Sequence, residues 1–202
     1  MTITVQVYQI IILIFSAVAH EYMHGWMAYR LGDTTARDAG RLTINPLAHL
    51  EWFGSFFLPL IMVLGNFPFI IGWAKPVPYN PFNLSDRKYG EAKVAIAGPL
   101  ANLVIAVFFG LILRWMPFYT LEFAGLIGLI VYINLILMVF NLVPLPPLDG
   151  SKILATFLPE SLRVRYLGLE RMGFILVILF VMLAGSLILP IVNFLFGAIV
   201  GS

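Results

Sequence analysis

Cysteine is absent from the 202 residues. That single absence removes disulfide frameworks, thiolate metal sites and cysteine nucleophiles, so any metal ion must be held by nitrogen and oxygen. Charge is scarce as well. Asp, Glu, Lys and Arg make up 11% of the chain and hydrophobic residues 61%, whereas a soluble domain is about a quarter charged and about half apolar. Net charge is only +2, and the basic residues are scattered over short loops. No run of Lys and Arg offers a nucleic-acid surface, so nucleic acid is not expected as a partner. Repeats, low-complexity tracts and flexible linkers are also missing, and residues 1–202 read as a single domain. Finally, no Lys or Arg precedes the first apolar run. Ala17, Val18 and Ala19 have the small-x-small form of a cleavage site, but without a basic flank the segment reads as a retained membrane helix.

What is present is a set of five apolar stretches, at 5–29, 52–73, 94–116, 123–142 and 173–200. About 20 such residues cross a hydrocarbon core. The expected fold is an all-α membrane protein, a polytopic helical bundle of four to five membrane helices in a lipid bilayer. A re-entrant segment and short extended or β loops complete it. The second stretch is the re-entrant candidate, because Pro59, Gly65 and Pro68 interrupt backbone hydrogen bonding that hydrocarbon cannot replace. Charge placement agrees. Arg30, Arg37 and Arg41 follow stretch one, Lys75, Arg87, Lys88 and Lys93 follow stretch two, and Lys152, Arg163, Arg165 and Arg171 lie between stretches four and five. Cytoplasmic loops collect Lys and Arg, and all three basic loops share that face only if stretch two enters and returns. The last stretch, which contains Gly185 and Pro190, is compatible with one kinked span or with a span followed by a surface helix.

The decisive segment is HEYMH at 20–24, inside the first apolar helix. Residues four apart share a helical face, so His20 and His24 can bind one ion while Glu21 reaches a water on it. Two imidazoles, one carboxylate and an open water position describe a catalytic zinc site. The ion activates water and polarises a peptide carbonyl, and the glutamate moves protons. An ionisable group in mid-helix costs roughly 2.5–3.5 kcal/mol on insertion scales, so such groups are rarely kept without a task. Two of the chain's three histidines lie in this motif. Measured from Arg30 at helical rise, His20 is about 15 Å and His24 about 9 Å inside the membrane, on the cytoplasmic side.

The third ligand has several candidates: His49, Glu51, Asp33, Asp38, Glu91 and Asp149. Asp149 is favoured because Pro144, Pro146 and Pro147 unwind the backbone just before it, and unwound backbone at membrane depth must line a cavity or be buried in protein. Gly150 would let backbone pass close by. Two crossings, by stretches three and four, bring Asp149 back to the end of the bundle that holds His20 and His24. Asn141 is a candidate substrate or oxyanion contact, and Asn102 a weaker substrate-binding candidate. Gly98 and Ala101 read as helix-packing residues.

These motifs resemble the site-2 protease family of intramembrane zinc metalloproteases, in its small prokaryotic form without PDZ or CBS domains. The resemblance runs through HEYMH at 20–24, GRLTINPLAHL at 40–50, GWAKPVPYNP at 72–81, AGPLAN at 97–102 and NLVPLPPLDG at 141–150. It implies one Zn2+ ion bound by His20, His24 and Asp149, with Glu21 as general base and Asn141 near the substrate. It also implies membrane-embedded protein substrates and a multi-pass location in the cell membrane. A helical substrate must expose its backbone, and pairing with a strand edge would do that. Residues 40–44 are the favoured edge over the proline-rich 72–79. Two other classes compete. A metal transporter explains the three ligands but not Glu21, and stretches three to five lack further ionisable groups for a path. A non-catalytic scaffold has no use for an intact ligand and base set.

Overall fold

The computed structural model describes residues 3–65, 74–116 and 120–201. Four helices are long and apolar enough to cross a membrane, within Val5–Arg30, Gly90–Trp115, Leu121–Asn141 and Glu160–Val200. The first three are α1 (Ile3–Arg30), α4 (Gly90–Trp115) and α5 (Leu121–Asn141). Between α1 and α4 lie the short α2 (Thr35–Asp38) and a π-helical turn, Trp52–Phe57, that runs into α3 (Leu58–Leu64). After α5 come α6 (Asp149–Ala155), α7 (Glu160–Leu167), α8 (Gly173–Ala184) and α9 (Ile188–Val200).

Successive spans run antiparallel, and side-chain contacts fix their register. Ser16, His20 and His24 of α1 meet Asn102, Gly98 and Val94 of α4 in reverse order. Further along, α4 and α5 pack through Ala106, Val131, Leu135 and Met138, joined by Ile188 and Val192 of α9 in one apolar core. The C-terminal half of α1, the start of α4 and the end of α5 therefore occupy one end of the bundle. Arg114 and Thr120 occupy the other.

Stretch two returns to the end it left. The Lys75 amide donates to the His49 carbonyl at 2.8 Å, so residues 50–74 begin and finish at one place. The described helix over residues 52–64 is far shorter than the about 20 residues a span requires. The returning arm, 66–73, lies outside the described residues. The basic loops share that same end. The Ser85 amide donates to Leu31 O at 2.7 Å, Arg163 pairs with Glu91, and the Tyr166 hydroxyl donates to Pro144 O at 2.8 Å.

Of the two readings of residues 173–200, one kinked span fits. Gly173 abuts Pro147 at the site end, and Arg114 Nη1 donates to Ala198 O at 3.3 Å at the far end. The kink is the 3-10 turn Gly185–Leu187.

The strand expected over 40–44 does not form, and no strand exists among the described residues. The neighbouring segment carries Pro76 and Pro78, which lack N–H groups, so a ladder has too few donors. Instead Arg41 Nη2 donates to Lys75 O at 2.9 Å, and a single backbone bond joins His49 to Lys75.

Candidate metal centre and active site

Each of the three ligand candidates comes from a different local device. His20 and His24 sit one helical turn apart on α1. Asp149 opens α6 just past the broken backbone 142–148, which includes a cis bond between Pro146 and Pro147. Gly150 is required there: a Cβ on it would lie 2.2 Å from Leu142 O and 2.5 Å from Val143 O, both rigid backbone. The result is a compact cluster. His20 Nε2 is 2.9 Å from His24 Nε2, and Asp149 Oδ2 is 3.1 Å from the first and 3.2 Å from the second.

These distances fit a metal ion. Ligand atoms about 2.0–2.1 Å from a tetrahedral zinc stand about 3.3 Å apart along each edge of the tetrahedron. Tautomers fit too. Asn102 donates through Nδ2 to Asn134 Oδ1 at 2.9 Å and to Ser16 O at 3.2 Å, so its Oδ1 is left to accept from His20 Nδ1–H at 2.6 Å. Asn134 is held in turn by Ser16 Oγ and Ile130 O, each at 2.9 Å. His24 Nδ1–H donates to Val94 O at 2.7 Å. Both Nδ1 atoms are thereby occupied, and both Nε2 lone pairs converge beside Asp149. Space is reserved by Gly98, where a Cβ would fall 2.4 Å from His24 Nε2 and 2.6 Å from His20 Nε2. Gly98 thus serves the imidazoles directly, beyond the general helix packing expected of it.

The cluster opens on a cavity of about 170 Å³ lined also by Glu21, Val77, Tyr79, Asn141 and Lys152. Glu21 stands outside the ligand cluster, and its Oε2 accepts from the Val77 amide at 2.8 Å. Asn141 reaches the cavity wall while its Nδ2 donates to Leu137 O at 2.9 Å. Asn102 does not. It is fully buried behind His20, and its Oδ1 accepts from His20 Nδ1–H rather than facing the cavity. The favoured edge, 40–44, also stays off the cavity, whose wall is built by Pro76, Val77 and Tyr79.

The alternative third ligands are engaged elsewhere. His49 is fully buried with Nε2–H donating to Thr43 O at 2.7 Å. Glu51 caps the Gly54 amide at 3.0 Å, Glu91 pairs with Arg163, and Asp38 pairs with Arg37 at 3.0 Å. Asp33, also fully buried, clamps the loop after α1 to the loop before α4. It accepts from the Asn80 amide at 2.7 Å, Asn83 Nδ2 at 2.9 Å and the Thr35 hydroxyl at 2.5 Å.

Several contributors were not picked out from the sequence. Ser16 lies one turn before His20 and Asn134 is a polar residue in mid-span, and both are signals a face-by-face reading can detect. Tyr79 and Lys152 offer weaker signals, since a loop tyrosine and a basic residue after a span look like ordinary interface groups.

All of these site residues fall within a family match, for the profile of peptidase family M50 covers residues 8–124 and 116–185. The chain belongs to peptidase family M50. A Bacillus subtilis (strain 168) protein described as "Putative zinc metalloprotease YwhC" is 39% identical over 196 residues, covering 92% of this chain and 86% of the relative. A Mycolicibacterium smegmatis protein with the same metalloprotease description is 31% identical over 168 residues, covering 82% of this chain and 62% of that longer relative. No solved structure matches. Membership of M50 agrees with the site-2 protease resemblance of the motifs, and it makes the chain a peptidase.

Proposed function

We propose that this M50 peptidase uses one zinc ion to hydrolyse peptide bonds within or beside membrane segments of protein substrates. One observation carries the reading: His20, His24 and Asp149 converge at tetrahedral-edge distances, and Glu21 opens onto the same cavity. The ion would be held by His20 Nε2, His24 Nε2 and an Asp149 oxygen. When bound, zinc supplies a Lewis acid and a water of lowered pKa. Glu21 takes a proton from the attacking water and returns it to the leaving amide nitrogen. The Val77 amide, bound to one oxygen of Glu21, leaves the other oxygen for that transfer. Asn102, Val94 and Gly98 keep the imidazoles aimed. Asn141, on the cavity wall, contacts the substrate backbone.

The substrate class follows from placement. The site lies at one end of a bundle of apolar spans, where a peptide can reach it from the bilayer or its surface. We place that end at the cytoplasmic face of the cell membrane, because the basic loops cluster there. With no native cysteine, single cysteines at Ser85, Thr120 and Ser161 report orientation. Ser85 and Ser161 should label from one side with an impermeant reagent, and Thr120 from the other. Labelling of Ser85 opposite Ser161 would refute the re-entrant path.

The mechanism is tested by Glu21→Gln. The variant should keep its fold and bound zinc, and lose cleavage of a single-span substrate by about 100- to 10,000-fold. Zinc content and turnover are measured on the same preparation. Wild-type turnover in the variant would remove Glu21 as the base.

A further inference from the structure

Lys152 is a basic cavity-lining residue that neither the ligand set nor the base accounts for. It lies one helical turn after Asp149 on α6, so the two side chains share a face. Its Nζ sits 5.3 Å from the centre of the Tyr79 ring, and both residues line the cavity. Other basic side chains nearby have their own partners. Arg163 pairs with Glu91, Lys93 with Asp86, and Arg41 binds the carbonyls of Lys75 and Pro76. Among the described residues, no carboxylate comes within ion-pair distance of Lys152. A cation kept in a catalytic cavity without a counter-ion is available to stabilise negative charge that appears only during reaction.

Resting on the peptidase reading above, we propose that Lys152 is a catalytic residue whose ammonium donates a hydrogen bond to the scissile carbonyl oxygen as that oxygen becomes negative. Water adds its oxygen to the carbonyl carbon while Glu21 accepts a water proton. The C–N bond then breaks, and that proton goes to the departing nitrogen. Lys152 keeps its proton throughout, and no redox partner is involved. The Tyr79 ring, 5.3 Å from the ammonium, holds it at the cavity wall. An ammonium is compact and carries three donors, so it can follow the oxygen from trigonal to tetrahedral geometry.

The test compares wild type, Lys152→Met, Lys152→Arg and Glu21→Gln as purified full-length protein in liposomes, cleaving a defined single-span peptide. kcat, KM and zinc per chain are read separately. Lys152→Met should lower kcat by about 100- to 1,000-fold with full zinc and little change in KM. Lys152→Arg, which keeps charge and donors, should recover part of the loss. Unchanged kcat in Lys152→Met, or an effect confined to KM as expected for binding an acidic substrate side chain, overturns the proposal. Should Lys152→Met lose zinc or fold, the decision passes to Lys152→Arg against Lys152→Gln at full zinc, and equal kcat overturns it. Glu21→Gln separates the two levels. Its inactivity beside a fully active Lys152→Met sinks only the lysine role, while an active Glu21→Gln sinks the peptidase mechanism beneath it.

Discussion

The two ends of the bundle are built on different principles. At the site end, α1, α4 and α5 meet through a directed polar chain from Ser16 through Asn134 and Asn102 to His20. Toward the other end, α4, α5 and α9 meet through the apolar Ala106, Val131, Leu135, Ile188 and Val192, and the Tyr132 hydroxyl donates to Asn193 Oδ1 at 3.1 Å beside that core. In a bilayer, apolar contact between helices has no hydrophobic drive and depends on close packing, whereas a buried polar group must find a partner. The apolar end tolerates small shifts because dispersion is non-directional. The polar end does not, because each amide orientation determines the next.

Two glycines sharpen this contrast most strongly. A Cβ on Gly98 would meet imidazole nitrogens pinned by Asn102 and Val94, and a Cβ on Gly110 would lie 2.3 Å from Ile199 Cγ2. Gly98→Ala should strip most of the zinc and cut cleavage at least about 100-fold, since the displaced imidazoles lose their hydrogen bonds to Asn102 and Val94. Gly110→Ala should cost about 1–3 kcal/mol of stability by overpacking, with full zinc per folded chain. Zinc content and thermal unfolding measured on both variants decide the matter. Equal zinc loss would dissolve the distinction between the two ends.

Asn102→Ala is the next largest effect. It frees His20 to rotate and should weaken zinc affinity by about 10- to 100-fold, measured by chelator competition. Leu135→Ala, in the apolar core, should leave zinc affinity unchanged while lowering stability. The last effect, which leaves zinc untouched, lies outside both cores, at Asp33. Burial opposes its ionisation, but hydrogen bonds from Thr35, Asn80 and Asn83 prevail and lower its pKa. A depressed carboxylate pKa adds stability above the unfolded value, and that stability is lost as pH falls through the folded value. Asp33→Asn should therefore cost about 1–3 kcal/mol at neutral pH. The gap to wild type should close as pH drops below about 4. Unfolding curves at a series of pH values, with zinc content as control, check this.

Much of the site was legible because its signals are local or pairwise. HEYMH at 20–24 carries its own helical geometry, and the prolines before Asp149 announce unwound backbone. The parity of crossings then brought the two motifs to one end without coordinates. The strand over 40–44 was misread because alternation is a property of one segment, while a strand needs a partner with free amides. Pro76 and Pro78 deny it those amides. A polar residue at a span's start, such as Asn102, says that something must be bonded, not which way the side chain turns, and here the amide turns to His20.

By itself the sequence determined that this is a cysteine-free membrane chain, that two histidines and a glutamate share one helix, and that an aspartate follows a broken one. Helical periodicity and the cost of charge in hydrocarbon suffice for that. Only the tertiary structure decided the rest. Asn102 faces His20, Gly98 makes room for two imidazoles, Val77 holds Glu21, and Lys152 looks into the cavity. Those choices depend on how far one helix slides along another, a distance of a few ångströms that no single segment encodes.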